Sequence, residues 1–463
     1  MYKAVRNSTE LQYLIELGAQ RLMLVHPRPP TVSMAECLRI LRDKANAWSS
    51  FELNVTKRLR VPWFFDPKSI IITHQQLSLS TSDQRGDVMS KVIDLRFCTP
   101  ETANVPPCIW NKDNVNPVPG TRFYSSFLDE TQDLVIAVYY SLDVDPYTSD
   151  SIIYQINFRT ISTDEEHPLA HGSCVKLTCR VPPDEGQQFH NIAVTVLGDR
   201  LAFYSGVTIF LAGDDEFYPY WSLHVCNWCE GGQSDDTGVF DEGYALNEIR
   251  FLSKEKLLAL TSHGCIEQYN IEDLSNTPRL QARFELPLRS SQRPRLLYPS
   301  VSPSASSCAH LTEQGDRWVW TTNPADRVIC VMTYRPRSIF VIHAQLFFMD
   351  IPATWFNTTS EDRCDVPWST WGPQNSRCFP LDLETRPLHD GMGSIFGVGG
   401  SRVIRYSFTE DVTTYLPYVE VVNNDRDFDG SLWDIVLDDE KVLIFTRTNT
   451  ATEQVMDVEI IDM

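Results

Sequence analysis

From about Val61 to Met463 the apolar positions fall into short runs, some alternating with polar residues and some continuous, bounded by Gly, Asp, Asn, Pro and Ser. Helical periodicity is nearly absent there, so the stretch reads as strands and turns. Six runs share one form, a polar tight turn followed at once by a hydrophobic strand. They are Gln132-Asp-Leu-Val-Ile-Ala-Val, Gly198-Asp-Arg-Leu-Ala-Phe-Tyr, Lys254-Glu-Lys-Leu-Leu-Ala-Leu, Ala325-Asp-Arg-Val-Ile-Cys-Val, Gly400-Ser-Arg-Val-Ile-Arg-Tyr and Asp439-Glu-Lys-Val-Leu-Ile-Phe. Their spacing is uneven, and the segment from Ile70 to Leu95 has room for a further copy. A four-stranded blade with its loops takes about 40 to 50 residues, so a degenerate repeat over this length predicts a mainly β fold, a β-propeller of six to eight blades. A pair of β-sandwiches is the competing architecture, since short strands at regular intervals suit it as well.

The first 60 residues have a different texture, which divides the chain into a helical segment, 1–60, and a propeller-like domain, 61–463. Glu10 to Leu17 reads as a helix with Leu11, Leu14, Ile15 and Leu17 largely on one side, ended by Gly18 as a left-handed cap. Pro27, Pro29 and Pro30 force an extended connection. Ser33-Met-Ala-Glu36 is a capping box that opens a second helix, through about Ser49, with Leu38, Leu41, Ala45 and Trp48 as its apolar face. Two short amphipathic helices cannot bury these faces alone and are expected to dock on the strand-rich domain downstream.

Composition narrows the functional classes. Aromatics make up 11% of the 463 residues, a mix that favours strands. With 61 acidic and 40 basic residues the formal charge is −21, so a polyanion meets a repulsive field and nucleic acid is not an expected partner. The N-terminus lacks the apolar core of a signal peptide, and the longest apolar stretch, Ile339 to Met349, is interrupted by His343 and Gln345. A cytoplasmic or nuclear protein, neither secreted nor inserted in a membrane, is expected. The 12 cysteines show no repeating spacing and read as buried free thiols.

Two insertions interrupt the strand texture. Arg289 to Ser307 is rich in Ser, Pro and Arg and is expected not to pack. Ala353 to Arg386 carries Trp355, Trp368 and Trp371 among Pro, Asp and Ser. Aromatic anchors on loops held by a rigid scaffold are common material for partner binding, which makes these three tryptophans the candidate binding residues. The alternative is that they pin a long loop to the scaffold.

Catalytic and metal motifs are sparse. His224-Val-Cys226-Asn-Trp-Cys229 holds three possible zinc ligands, but a structural site needs four, and in a strand Cys226 and Cys229 would face opposite sides. Asp425, Asp427 and Asp429, followed by Gly430, open like a calcium loop, yet the residue in the closing Glu position is Val436. An acidic turn between strands explains them equally. Ser234 to Phe240 partly matches the Asp-box turn of sialidase-type propellers, without its closing Trp and without a second copy. There is no Gly-x-Ser-x-Gly elbow and no phosphate-binding loop, and Gly397-Val-Gly-Gly400 leads into a strand as a turn. No cofactor, metal or catalytic set is expected.

The N-terminal segment resembles the region after the F-box in F-box proteins of mushroom-forming fungi. Tyr2-Lys-Ala-Val-Arg is similar to the last turns of the F-box bundle, Glu10-Leu-Gln-Tyr-Leu-Ile-Glu-Leu-Gly-Ala to the next helix, and Ala35 to Trp48 to the helix with a closing Trp. Leu223-His-Val-Cys-Asn-Trp228-Cys-Glu-Gly231 resembles a WD-type strand, which makes Cys226 and Cys229 ordinary strand positions. The resemblance implies a substrate receptor of a cullin-RING ubiquitin ligase, in which the β domain holds a protein target and the F-box docks on a Skp-type adaptor. The F-box proper, with its Leu-Pro start, is then expected upstream of Met1, and the Skp-type adaptor is a partner only with it. A stand-alone propeller scaffold without a ligase role is the alternative, and a propeller hydrolase with a channel site a more distant one.

Overall fold

The computed structural model describes residues 2–24, 32–50, 56–62, 69–73, 76–82, 88–94, 108–110, 120–129, 132–141, 151–172, 174–180, 187–210, 217–230, 238–242, 245–288, 294–297, 320–334, 337–356, 364–380, 396–399, 402–405, 419–422, 431–437, 441–449 and 454–462. The chain opens with α1 (Tyr2–Asn7), α2 (Thr9–Ala19), β1 (Leu22–Leu24), α3 (Met34–Ser50) and β2 (Lys57–Pro62). Blade 1 comes next as β3 (Ser69–Thr73), β4 (Gln76–Ser82), β5 (Val88–Asp94) and β6 (Cys108–Trp110). Blade 2 is β7 (Thr121–Asp129), β8 (Leu134–Ser141), β9 (Ser151–Thr160) and β10 (Cys174–Arg180). Blade 3 is β11 (Gln187–Leu197), β12 (Arg200–Phe210), β13 (Phe217–Asn227) and β14 (Val239–Glu242). Blade 4 is β15 (Leu246–Phe251), β16 (Lys256–Thr261), β17 (Cys265–Asn270) and β18 (Arg279–Glu285).

Blade 5 is interrupted twice. Its first strand, β19 (Pro294–Leu297), is separated by β20 (Trp320–Thr322) from β21 (Val328–Tyr334) and β22 (Arg337–His343). Then come α4 (Gln345–Phe348), β23 (Asp365–Val366), α5 (Trp368–Asn375) and the closing strand β24 (Ser376–Pro380). Blade 6 has β25 (Phe396–Gly399), β26 (Arg402–Arg405) and β27 (Val419–Val422) among the described residues. Blade 7 is β28 (Ser431–Leu437), β29 (Lys441–Asn449) and β30 (Gln454–Asp462), completed by β2 from the other end of the chain, in register from Lys57 opposite Ile460 to Pro62 opposite Val455.

Inner strands of neighbouring blades lie side by side. β11 touches both β7 and β15, β15 touches β19, β25 touches β21, and β28 touches both β25 and β3, so the last sheet abuts the first. This is a β-propeller with seven sheets among the described residues. Pairing of β2 with β30 closes the ring between the two ends of the chain, which removes the open edge a linear array of sheets would leave.

The six repeated sequence runs are the second strands of blades 2 to 7: β8, β12, β16, β21, β26 and β29. Their apolar continuity has a cause. A second strand is hydrogen-bonded on both sides and, away from the rim, covered on both faces by neighbouring sheets, so it loses the polar alternation of a half-exposed strand. In β8 the residues from Leu134 to Tyr139 are all buried, whereas the third strand, β9, alternates along its length. Separate apolar cores fill the wedges between blades 2 and 3, 3 and 4, and 4 and 5. The copy expected between Ile70 and Leu95 covers most of β3, β4 and β5. One expectation fails: the Ser/Pro/Arg-rich segment from Arg289 contains β19, the innermost strand of blade 5. Pro294 is its first residue, a place where a missing amide is tolerated, and Leu296 and Leu297 pair with Val331 and Cys330.

The helical segment docks at one end of blade 5. Leu22, Met23 and Leu24 of β1 pair with Thr322, Thr321 and Trp320 of β20, and Tyr13, Leu17, Leu22, Cys37, Leu38 and Leu41 form a buried core with Trp320. Ser33 Oγ accepts from the Glu36 amide at 3.1 Å, one half of the predicted capping box, while the Glu36 carboxylate accepts from Arg39 at 2.6 Å instead of from the Ser33 amide; Ser8 Oγ caps α2 by accepting from the Leu11 amide at 3.2 Å. The second helix buries Leu38, Leu41 and Trp48 as its pattern predicts. The first does not. It runs past Gly18 to Ala19, and the left-handed residue is Arg21 (φ 57°), held there because its carbonyl accepts from the Asn323 amide at 3.0 Å. Tyr13 and Leu17 take the buried side of α2, and Leu11, Leu14 and Ile15 are exposed.

Adjacent strands of blade 5 are antiparallel, so its first-to-second and third-to-fourth connections leave at the same end. β20 lies in the first-to-second connection of blade 5, and the α4–α5 insertion is its third-to-fourth connection. Helical segment and insertion therefore share one end of the propeller, and the turn at Pro324–Asp326 touches α4. Among the described residues no helix is long and apolar enough to cross a membrane.

Candidate protein-interaction surface

The insertion between β22 and β24 is built on tryptophan. Trp371 is fully buried; its indole N–H donates to the Glu285 carbonyl at 3.2 Å, and its ring stands edge-on to Phe284 at 5.5 Å and to Trp368 at 4.9 Å. Trp368 in turn meets Phe340 of β22 edge-on at 5.7 Å. Gly372 admits this stacking, because a Cβ there would lie 2.3 Å from the Trp368 ring. Trp355 packs on the same core as a half-buried side chain. All three candidate tryptophans thus converge on the wedge between blades 4 and 5. Trp371 has no surface to offer a partner, whereas Trp355 and Trp368 are both half-buried and keep an accessible part.

Strand pairing and charge hold the insertion from outside. β23 joins β18 in parallel as a fifth strand, with Asp365 opposite Arg283 and Val366 opposite Phe284. The Arg283 guanidinium bridges Glu267 Oε1 at 2.9 Å and Asp365 Oδ1 at 3.2 Å, and Tyr269 donates to Glu267 Oε2 at 2.7 Å. At the other end Lys256 Nζ donates to the Phe347 carbonyl at 2.8 Å; burial lowers its pKa, against the opposing pull of Asp350 and Glu255. Between these tethers runs a ridge in which Phe348, Ile351, Trp355 and Phe356 are half-buried and Met349 is 38% exposed. A preorganised aromatic and aliphatic ridge of this kind loses little conformational entropy when it meets a partner. Sequence reading found Trp355 and overlooked Phe348, Met349, Ile351 and Phe356, because the run from Ile339 to Met349 looks like one strand until α4 turns the chain away from β22.

The three zinc candidates are strand and turn residues. His224 and Cys226 lie on β13, and Cys229 sits in the turn beyond it, where the strand alternation has ended and it packs on the same blade 2–3 core as Cys226. Burial pushes the Cys226 thiol up to about 12 and the Cys229 thiol up to about 11, so neither is a ready thiolate. His224 instead meets Cys179 of blade 2, Nε2 to Sγ 3.8 Å, a contact 45 residues apart for which the sequence holds no signal. Burial holds the imidazole down at about 4 and the thiol up at about 12. Both are neutral at physiological pH, so this Cys–His pair is not poised for nucleophilic attack. Trp228, the residue of the WD-like run, donates to the Gly198 carbonyl at 2.9 Å and stacks on Phe158 at 5.4 Å, pinning blade 2 to blade 3. Among the described residues no group of three or more His, Cys, Asp or Glu side chains is placed to hold a metal ion. Asp425, Asp427 and Asp429 lie outside the described residues.

No family model matches the chain, and no curated protein matches it. Solved propellers do. The C-terminal WD40 domain of Sif2 is 8% identical, with 83% of this chain and 81% of that one covered at a TM-score of 0.27. The WD40 β-propeller domain of Doa1 is 6% identical, covering 88% and 96% at 0.27. The WD40 domain of SCAP from fission yeast is 8% identical, covering 87% of each chain at 0.29. The assignment of a propeller rests on the ring of paired sheets described above.

Proposed function

We propose that this chain is a non-catalytic protein-interaction module whose propeller presents the Phe348–Phe356 ridge to a protein target. The observation that carries the reading is the contrast within one insertion: Trp371 is spent on rigidity, while Met349 is exposed and Trp355, Trp368 and their neighbours are half-buried on that rigid base. The finer role comes from the N-terminal resemblance. We propose that the module is the substrate-recognition part of an F-box-type ubiquitin-ligase receptor in the cytoplasm or nucleus, with a Skp-type adaptor as its partner where an F-box precedes Met1. The close packing of the helical segment on β20 supports this reading, since a receptor must hold its target at a fixed distance from the ligase.

Co-precipitation of the tagged full chain with mass spectrometry tests both levels. A target captured by the wild type and lost with Met349→Ala/Trp355→Ala, at unchanged thermal stability, supports the ridge. A target that binds both alike places recognition elsewhere. A Skp-type adaptor and cullin recovered together support the ligase role; a reproducible target with neither favours the stand-alone scaffold.

A further inference from the structure

Helix α2 has two apolar sides, and the fold uses one. Tyr13 and Leu17 are buried against β20 and α3, whereas Leu11 is 39% exposed and Leu14 and Ile15 are each 55% exposed. At 3.6 residues per turn Leu11, Leu14, Ile15 and Gly18 share one side of the helix. A Cβ at Gly18 would meet nothing within 4 Å, so the stripe stays open at its C-terminal end. It is apolar and uncharged along its length. One flank is acidic, with Glu10 exposed beside Leu14 and without an ion pair among the described residues; on the other, Glu16 is paired with Arg42 at 3.8 Å and accepts from Gln20 at 3.1 Å.

We propose that the Leu11, Leu14 and Ile15 face of α2 docks an amphipathic helix of a partner protein, one with aliphatic residues at three- and four-residue spacing and Lys or Arg on its flanks. Such a helix lays its apolar side into the stripe and meets Glu10 with a basic side chain. Charge argues against a second copy as the occupant. A two-fold pairing would bring together two chains of formal charge −21, with Glu10 unpaired among the described residues at each stripe, which opposes association. This surface is separate from the Phe348–Phe356 ridge and is tested without it.

The probe is a synthetic helical peptide of Leu and Lys in that pattern, about four turns long, titrated into the full chain and read by fluorescence anisotropy. A sequence-scrambled peptide and a Leu/Glu version serve as controls. The patterned Leu/Lys peptide is expected to bind, and Leu14→Ser/Ile15→Ser to weaken it by at least about tenfold. Both side chains are exposed, so thermal melting of the variant is expected to match the wild type. Equal binding by wild type and variant, equal binding of the scrambled or Leu/Glu peptide, or no binding at all overturns the proposal. So does a wild-type dimer in sedimentation that dissociates in the variant, which assigns the stripe to a second copy. A ridge variant that loses its target yet keeps the peptide separates this inference from the proposed target site.

Discussion

The indole N–H of Trp320 donates to the hydroxyl of Tyr13 at 3.1 Å, a buried hydrogen bond between residues 307 positions apart that joins the helical segment to blade 5. Tyr13→Phe removes the acceptor and strips the buried indole of this bond, at a cost of about 1–3 kcal/mol. Hydrogen exchange is the direct readout. Amides of α2 and β1 are expected to lose protection while those of β12 keep theirs; uniform loss along the chain would mean that segment and propeller unfold as one unit.

His224 makes acid stability measurable at one site. Burial holds its pKa near 4 in the fold, below the ordinary 6.5, so between these values the unfolded chain binds the extra proton. Stability from this group is complete above about pH 6.5 and falls as pH drops toward 4, by about 1.4 kcal/mol per pH unit at most. Denaturant melts of wild type and His224→Gln across pH 7 to 4 are expected to differ in slope, the variant losing less. Parallel curves would contradict the burial of the ring.

Within the insertion, substitutions at the tryptophans are expected to separate stability from binding. Trp371→Ala empties a fully buried site and is expected to cost about 3–5 kcal/mol. Gly372→Ala drives a methyl into the Trp368 ring and is expected to cost about 1–3 kcal/mol. Trp355→Ala, half-buried at the surface, is expected to shift the melting midpoint far less than Trp371→Ala. Chemical denaturation of the three variants checks that order.

Arg283 neutralises a carboxylate that has almost no water: the Glu267 side chain is 5% exposed. Arg283→Met leaves that charge against Tyr269 alone and is expected to destabilise by about 3 kcal/mol. Adding Glu267→Gln removes the stranded charge, so the double variant is expected to be more stable than Arg283→Met. Losses that simply add in the double-mutant cycle would argue that the two side chains are not coupled.

Several elements were legible because their cause is local or repeated. In blades 2, 3 and 4 the second strand is buried on both faces, so Leu134–Ser141, Arg200–Phe210 and Lys256–Thr261 announce themselves without alignment. The cap at Ser33 and the apolar face of α3 are likewise written within a few residues. β19 was hidden, since four residues headed by Pro294 in a Ser- and Pro-rich segment carry no strand pattern of their own. Its place as an inner strand comes from pairing with β21.

The candidate site divides along the same line. Three tryptophans in one insertion mark it as important, and their number is read directly. Which of them faces a partner depends on β23 reaching across to blade 4 and on Trp371 entering the wedge there, contacts between residues more than 80 positions apart. The order of residues alone specifies the β-propeller texture, the repeated second strand and the presence of two docking helices, because hydrophobic periodicity records which faces a strand or helix must bury. Long-range packing sets how many sheets close the ring, that β2 completes the last one, and that α2 turns Tyr13 and Leu17 inward and leaves Leu14 and Ile15 open. Periodicity says that a face is apolar; only packing against a particular neighbour says which apolar face is covered.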